Sequence, residues 1–119
     1  MRHLNSRKKL NLSSSHRKAY LRNQVIHLIN YGHITVSLPA AKEIRRFAEK
    51  MVTLTRTSST DFNVRRRALQ LLPYSEVALE KLFTEIAPKY AQRPGGYTRI
   101  LRLGRRPSDT APMARLQWV

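Results

Sequence analysis

The sequence predicts an α+β fold. It reads as a two-layer α-β-α-α-α-β-β domain with a three-stranded mixed sheet packed on helices, preceded by a basic N-terminal tail. Three observations lead there. Apolar residues recur every three or four positions in four separate segments. Three short runs alternate apolar and polar residues. The first 42 residues carry eight Lys or Arg and no acid, so the chain opens on charge that nothing local compensates.

Residues 1–12 form the expected tail, and residues 13–119 the single domain. In the tail, Leu4, Leu10 and Leu12 follow no period among Arg2, His3, Arg7, Lys8 and Lys9, a pattern expected to order only against a partner. Ser13, Ser14 and Ser15 supply N-caps for a first helix with Leu21, Val25, Leu28 and Ile29 inward, and Gly32 is its left-handed stop. "HITVSL" at 33–38 is a strand with Ile34, Val36 and Leu38 on one face. Pro39 then suits the first turn of a second helix striped by Ile44, Phe47, Met51 and Leu54. Within that helix Glu43 stands three residues from Arg46 and Arg45 four from Glu49, so it is expected to neutralise itself in part.

"TRTSSTD" is a loop in which Ser59, Thr60 or Asp61 caps a third helix carrying Val64, Ala68, Leu71 and Leu72 and ending before Pro73. Ser75 caps a fourth, with Leu79, Leu82, Phe83 and Ile86 inward and Pro88 ending or kinking it. "RPGG" breaks the chain. "YTRILRL" is a second strand, with Tyr97, Arg99, Leu101 and Leu103 on one face and Thr98, Ile100 and Arg102 on the other. After the loop "GRRPSDTAP", "MARLQWV" is the last strand, with Ala114, Leu116 and Trp118 on one side, antiparallel to its predecessor.

Charge dominates what this fold can do. Of 119 residues, 23 are Lys or Arg and seven are Asp or Glu, a net charge of +16. Arginine outnumbers lysine, and its planar fork suits phosphate. Residues 43–88 hold eight basic and six acidic residues, a near-neutral body. Residues 89–119 hold seven basic residues and one acid, Asp109, expected to form an internal salt bridge. The two ends therefore read as surfaces for a polyanion. Arg2, His3, Arg7, Lys8, Lys9, Ser14, His16, Arg17, Lys18 and Arg22 lie at the front, and Arg99, Arg102, Arg105 and Arg106 at the back. Cations at the start of a helix oppose its dipole, whereas a phosphate docked there meets both side chains and free N–H groups.

Other classes fit less well. His16 and His27 sit 11 residues apart on one helix, about 16 Å along its axis, too far to share one phosphate as acid and base. His27 reads instead as a partly buried polar residue. There is no cysteine for a disulfide or thiolate metal site, and "GG" at 95–96 lacks the spacing of a nucleotide loop. No catalytic residue, metal site, cofactor or small-molecule substrate is expected. No run of apolar residues is long enough to span a membrane, and the start lacks a signal-like apolar stretch; an intracellular soluble protein is expected. A DNA-binding module is the alternative, with helices two and three as a helix-turn-helix, but their linker is long and the charge lies elsewhere.

"MRH" at the start, "KKLN" and "SSHRKA" within 8–19, "LPAAKEIRRFAEKMVTL" at 38–54, "KLFTEIAPKYAQR" at 81–93 and "GGYTRILRLGRRPSD" at 95–109 resemble, in order and end to end, the bacterial ribosomal protein L-seventeen family. The resemblance implies a structural, non-enzymatic constituent of the large (50S) ribosomal subunit in the cytoplasm. It implies binding to folded large-subunit (23S) rRNA, with ribosomal protein L-thirty-two among its neighbours. Its motifs put Arg2, His3, Lys8, Lys9, His16, Arg17, Lys18, Tyr97, Arg99, Arg105 and Arg106 against rRNA. For Tyr97 and His16, stacking on a base stands beside a core role. Leu12, Ala40 and the "LQWV" ending depart from the family's pattern.

Overall fold

The computed structural model describes residues 3, 8–56 and 62–119. The elements run α1 (Ser14–Tyr31), β1 (His33–Ser37), α2 (Leu38–Arg56), α3 (Phe62–Leu71), α4 (Glu76–Lys81), a π-helical turn (Leu82–Ile86), α5 (Ala87–Lys89), β2 (Thr98–Arg105) and β3 (Pro112–Trp118). The cap expected for α3 at Ser59, Thr60 or Asp61 lies outside the described residues.

Local signals set the ends of α1. Of the three serines, Ser13 is the cap: it keeps an extended backbone and its hydroxyl accepts from the His16 N–H at 3.4 Å. Gly32 closes the helix at φ +81°, where a Cβ would be strained, and its N–H donates to the Leu28 carbonyl. Ser75 caps α4 through the Ala78 N–H. Pro88 acts less abruptly than a break. It has no N–H for the Thr84 carbonyl, and the ladder widens just before it: the Ala87 N–H reaches five residues back to Leu82. The Thr84 hydroxyl donates to the Glu80 carbonyl at 2.8 Å within the same turn, and the helix ends one residue past the proline.

The sheet has order β1-β3-β2 and is antiparallel at both seams, where a mixed sheet was expected. The short loop after β2 sends β3 back alongside it, and β1 takes the opposite flank of β3. β1 and β2 therefore run the same way without touching. Register puts Ile34, Leu116 and Ile100 in one cross-strand row, followed by Val36, Ala114 and Arg102. Gly104, at φ +92°, sits where the β2 register shifts, so the strict alternation expected through Leu103 stops there.

α2 joins the layers, contacting all three strands and also α1, α3, the π turn and α5. Its buried face is Ala40, Ala41, Ile44, Ala48, Met51 and Val52, while Phe47 and Leu54 are only half-buried. The inward stripe is thus rotated from the one expected, because the alanines let the helix lie close to its neighbours. Val25, Leu28 and Ile29 of α1 and Leu79, Leu82, Phe83 and Ile86 of the fourth helix complete the core as expected. The C-terminus is tied in: Trp118 Nε1 donates to the Leu28 carbonyl at 3.1 Å and the Tyr90 hydroxyl to the Val119 carbonyl at 2.7 Å.

Candidate nucleic-acid interface

The front surface begins with a pinned segment. The Lys8 N–H donates to Glu43 on α2 at 3.2 Å, and the Leu12 N–H closes a turn onto the Lys9 carbonyl at 3.1 Å. Leu10 and Asn11 make that turn with positive φ, and the Leu10 side chain packs against the core. This leaves Lys8 and Lys9 exposed beside the N-terminal half of α2. His3 is exposed, and Arg2 and Arg7 lie outside the described residues.

On α1, Ser14, His16 and Lys18 are exposed. Arg17 is half-buried, with Nη1 3.5 Å from the Leu12 carbonyl. Arg22 lies over the Tyr74 ring at 5.7 Å, where the aromatic face steadies the guanidinium without neutralising it. His27, expected to be partly buried, is exposed and stacks on Tyr31, one helical turn along α1.

The back surface is built on β2, an edge strand. Arg99, Arg102 and Arg105 are all exposed. Arg105 Nη1 donates to the Thr110 carbonyl at 3.2 Å. Arg106 instead makes a two-pronged pair with Asp109, at 2.9 and 2.6 Å, so the bridge expected of Asp109 forms. The Arg106 guanidinium hydrogen-bonded to Asp109, together with the Ala111 N–H, holds that carboxyl down at about 2. Its folded-state pKa is depressed, so the pair's contribution is present above the ordinary carboxylate range and lost as pH falls toward 2. Arg106 organises its own loop, and its charge is matched there.

Tyr97 does not face a ligand. It is 1% exposed, donates its hydroxyl to the Arg93 carbonyl at 3.2 Å and packs on Tyr90 with ring centroids 5.2 Å apart. The core reading of this aromatic is the correct one, and its rRNA-facing assignment is withdrawn.

The acids of α2 also depart from expectation. Glu43, 8% exposed, serves the Lys8 N–H rather than Arg46. Glu49 does pair with Arg45 at 3.4 Å, but the same Oε1 accepts from the Thr98 N–H at 3.2 Å and the Thr98 hydroxyl at 2.8 Å. Beside it a cleft of about 400 Å³ opens between α2 and β2, lined by Lys42, Arg45, Arg46, Glu49 and Ile100. Sequence reasoning missed these three cations as a group. Their i, i+3, i+4 spacing was the available signal, since 3.6 residues per turn puts them on one stripe. Among the described residues, no cluster of three or more His, Cys, Asp or Glu is placed to hold a metal.

A family model described as ribosomal protein L17 matches residues 20–119. The whole chain is 44% identical to the large ribosomal subunit protein bL17 of Orientia tsutsugamushi (strain Boryong), spanning 80% of that protein. It is 45% identical to the bL17 protein of Geotalea daltonii, spanning 64% of it, and 44% identical to that of Orientia tsutsugamushi (strain Ikeda), spanning 80%. These matches define the class as a ribosomal protein, structural rather than enzymatic. The chain belongs to the ribosomal protein L17 family.

Proposed function

We propose that the chain is a structural constituent of the large ribosomal subunit that binds and stabilises folded large-subunit rRNA through two basic surfaces. Lys8, Lys9, Ser14, His16, Arg17, Lys18 and Arg22 form one; Arg2, His3 and Arg7 precede them in the sequence. Arg99, Arg102 and Arg105 form the other. The observation that supports this most is the separation of charge. Glu43, Glu49 and Asp109 all accept hydrogen bonds from the protein's own groups, while the cations of the two ends remain at the surface. A-form RNA is recognised by shape, phosphate and 2′-hydroxyl contacts, which suits Arg, Lys and Ser presented on a rigid scaffold. Ribosomal protein L-thirty-two is the neighbour the family resemblance implies.

A competition assay decides between this and a DNA-binding module. With labelled large-subunit rRNA bound, unlabelled rRNA displaces it at concentrations at least about tenfold below those needed of duplex DNA of equal phosphate content, as expected where shape adds to charge. Equal displacement by both means the surface reads charge alone, and the rRNA assignment falls.

A further inference from the structure

Counted along the chain, the first three turns of α2 are almost neutral: Lys42, Arg45 and Arg46 face Glu43 and Glu49. The fold sets those charges apart unevenly. At 3.6 residues per turn, residues 42, 45, 46 and 49 share an arc of about 100°, and residue 43 falls to one side of it. On that side Glu43 receives the Lys8 N–H. Within the arc, Glu49 receives both polar groups of Thr98, itself 3% exposed, as well as the Arg45 guanidinium. Glu43 is thus taken up outside the arc and Glu49 is shared among Thr98 and Arg45, while Lys42, Arg45 and Arg46 are exposed along the outer stripe.

That stripe lies between the two surfaces already described. The segment of Lys8 and Lys9 is fastened at Glu43 on one flank of α2, and β2 carries Arg102 two residues beyond Ile100 on the same strand face. The cleft between α2 and β2 is open, mixed in character and floored by Ile100. It offers cations for phosphate oxygens and an apolar contact for a ribose, and no catalytic group.

We infer that this cleft is a third binding site, seating a segment of ribose-phosphate backbone with Lys42 and Arg46 as its main cations and Arg45 shared with Glu49. The inference rests on the rRNA-binding reading and adds α2 to it, making the middle of the chain the bridge between the two basic ends.

The test is the salt dependence of binding to transcribed large-subunit rRNA. The double variant Lys42→Ala/Arg46→Ala leaves the Glu49–Thr98 contacts in place, so its thermal melting is expected to match the parent. Its plot of log affinity against log salt is expected to be shallower by about 1 to 2, with affinity roughly tenfold weaker near physiological salt. Arg67→Ala, exposed on α3 in the near-neutral body and outside the cleft, is the control and leaves the slope unchanged. An unchanged slope in the double variant, or an equal loss in the control, overturns the cleft assignment. If the parent itself binds rRNA without a salt slope, the failure belongs to the underlying reading instead.

Discussion

Replacing Arg17, Lys18 and Arg22 together with alanine weakens binding to large-subunit rRNA by roughly 100-fold at physiological salt and removes about 2 to 3 from the log–log salt slope. The three cations lie along the N-terminal half of α1, with Arg17 and Lys18 near the free N–H groups of its first turn that also attract phosphate. Arg17 and Arg22 are held partly rigid, by the Leu12 carbonyl and the Tyr74 ring respectively, so little side-chain entropy remains to be lost on binding. Among described side chains the ion pairs are Arg45–Glu49 and Arg106–Asp109, so the substitution breaks no internal bridge. Filter binding across a salt series, with a thermal melt beside it, reads the effect. Unchanged affinity and slope place this surface away from RNA.

Glu49→Ala lowers stability by about 2 kcal/mol, a drop of roughly 5–10 °C in melting temperature. The cause is specific. One oxygen of Glu49 satisfies both the N–H and the hydroxyl of the buried Thr98 at the start of β2. Without it two donors are left inside the protein, and an unmet buried donor costs more than a satisfied one contributes. Because both bonds converge on Oε1, Glu49→Gln keeps an acceptor there and is expected to recover most of the loss. It also removes the one negative charge lining the α2–β2 cleft, so rRNA binding tightens while stability stays near the parent's. Calorimetry of the two variants checks the first claim and the salt series the second. An alanine variant as stable as the parent shows that Glu49 does not anchor β2.

What was legible in the sequence follows from how far apart the interacting groups lie. Ser13, Ser75, Gly32 and Pro39 act on their own turns of chain, and each does what its local chemistry predicts. The Asp109 bridge spans three residues and was equally legible. The Arg45–Glu49 pair, four residues apart, was legible too; the Lys8 partner of Glu43 and the Thr98 partner of Glu49 were not, because they stand 35 and 49 residues away. For Tyr97 the residue alone left a core role and base stacking open, and only the fold, in which Tyr90 and Arg93 enclose it, decides for the core. Pro88 was legible as a disturbance but not in form, since a π turn accommodates the missing N–H as a break would. The strands and the antiparallel pairing of the last two were readable from their short connection, whereas the seat of β1 beside β3 was not, because alternation says which face is buried and nothing about which neighbour is paired.

The central claim is that Glu43, Glu49 and Asp109 are engaged by the protein's own groups while the arginines of its two ends are presented to ribose-phosphate. Dicarbonyl modification of arginine, read residue by residue by mass spectrometry in the free chain and in intact large subunits, tests it most directly. Arg46, Arg99, Arg102 and Arg105 are expected to react readily in the free chain and to be shielded in the subunit, with Arg106 slow in both because Asp109 already holds it. If the first four react equally in the two states, the basic surfaces face solvent within the assembly and the account is wrong.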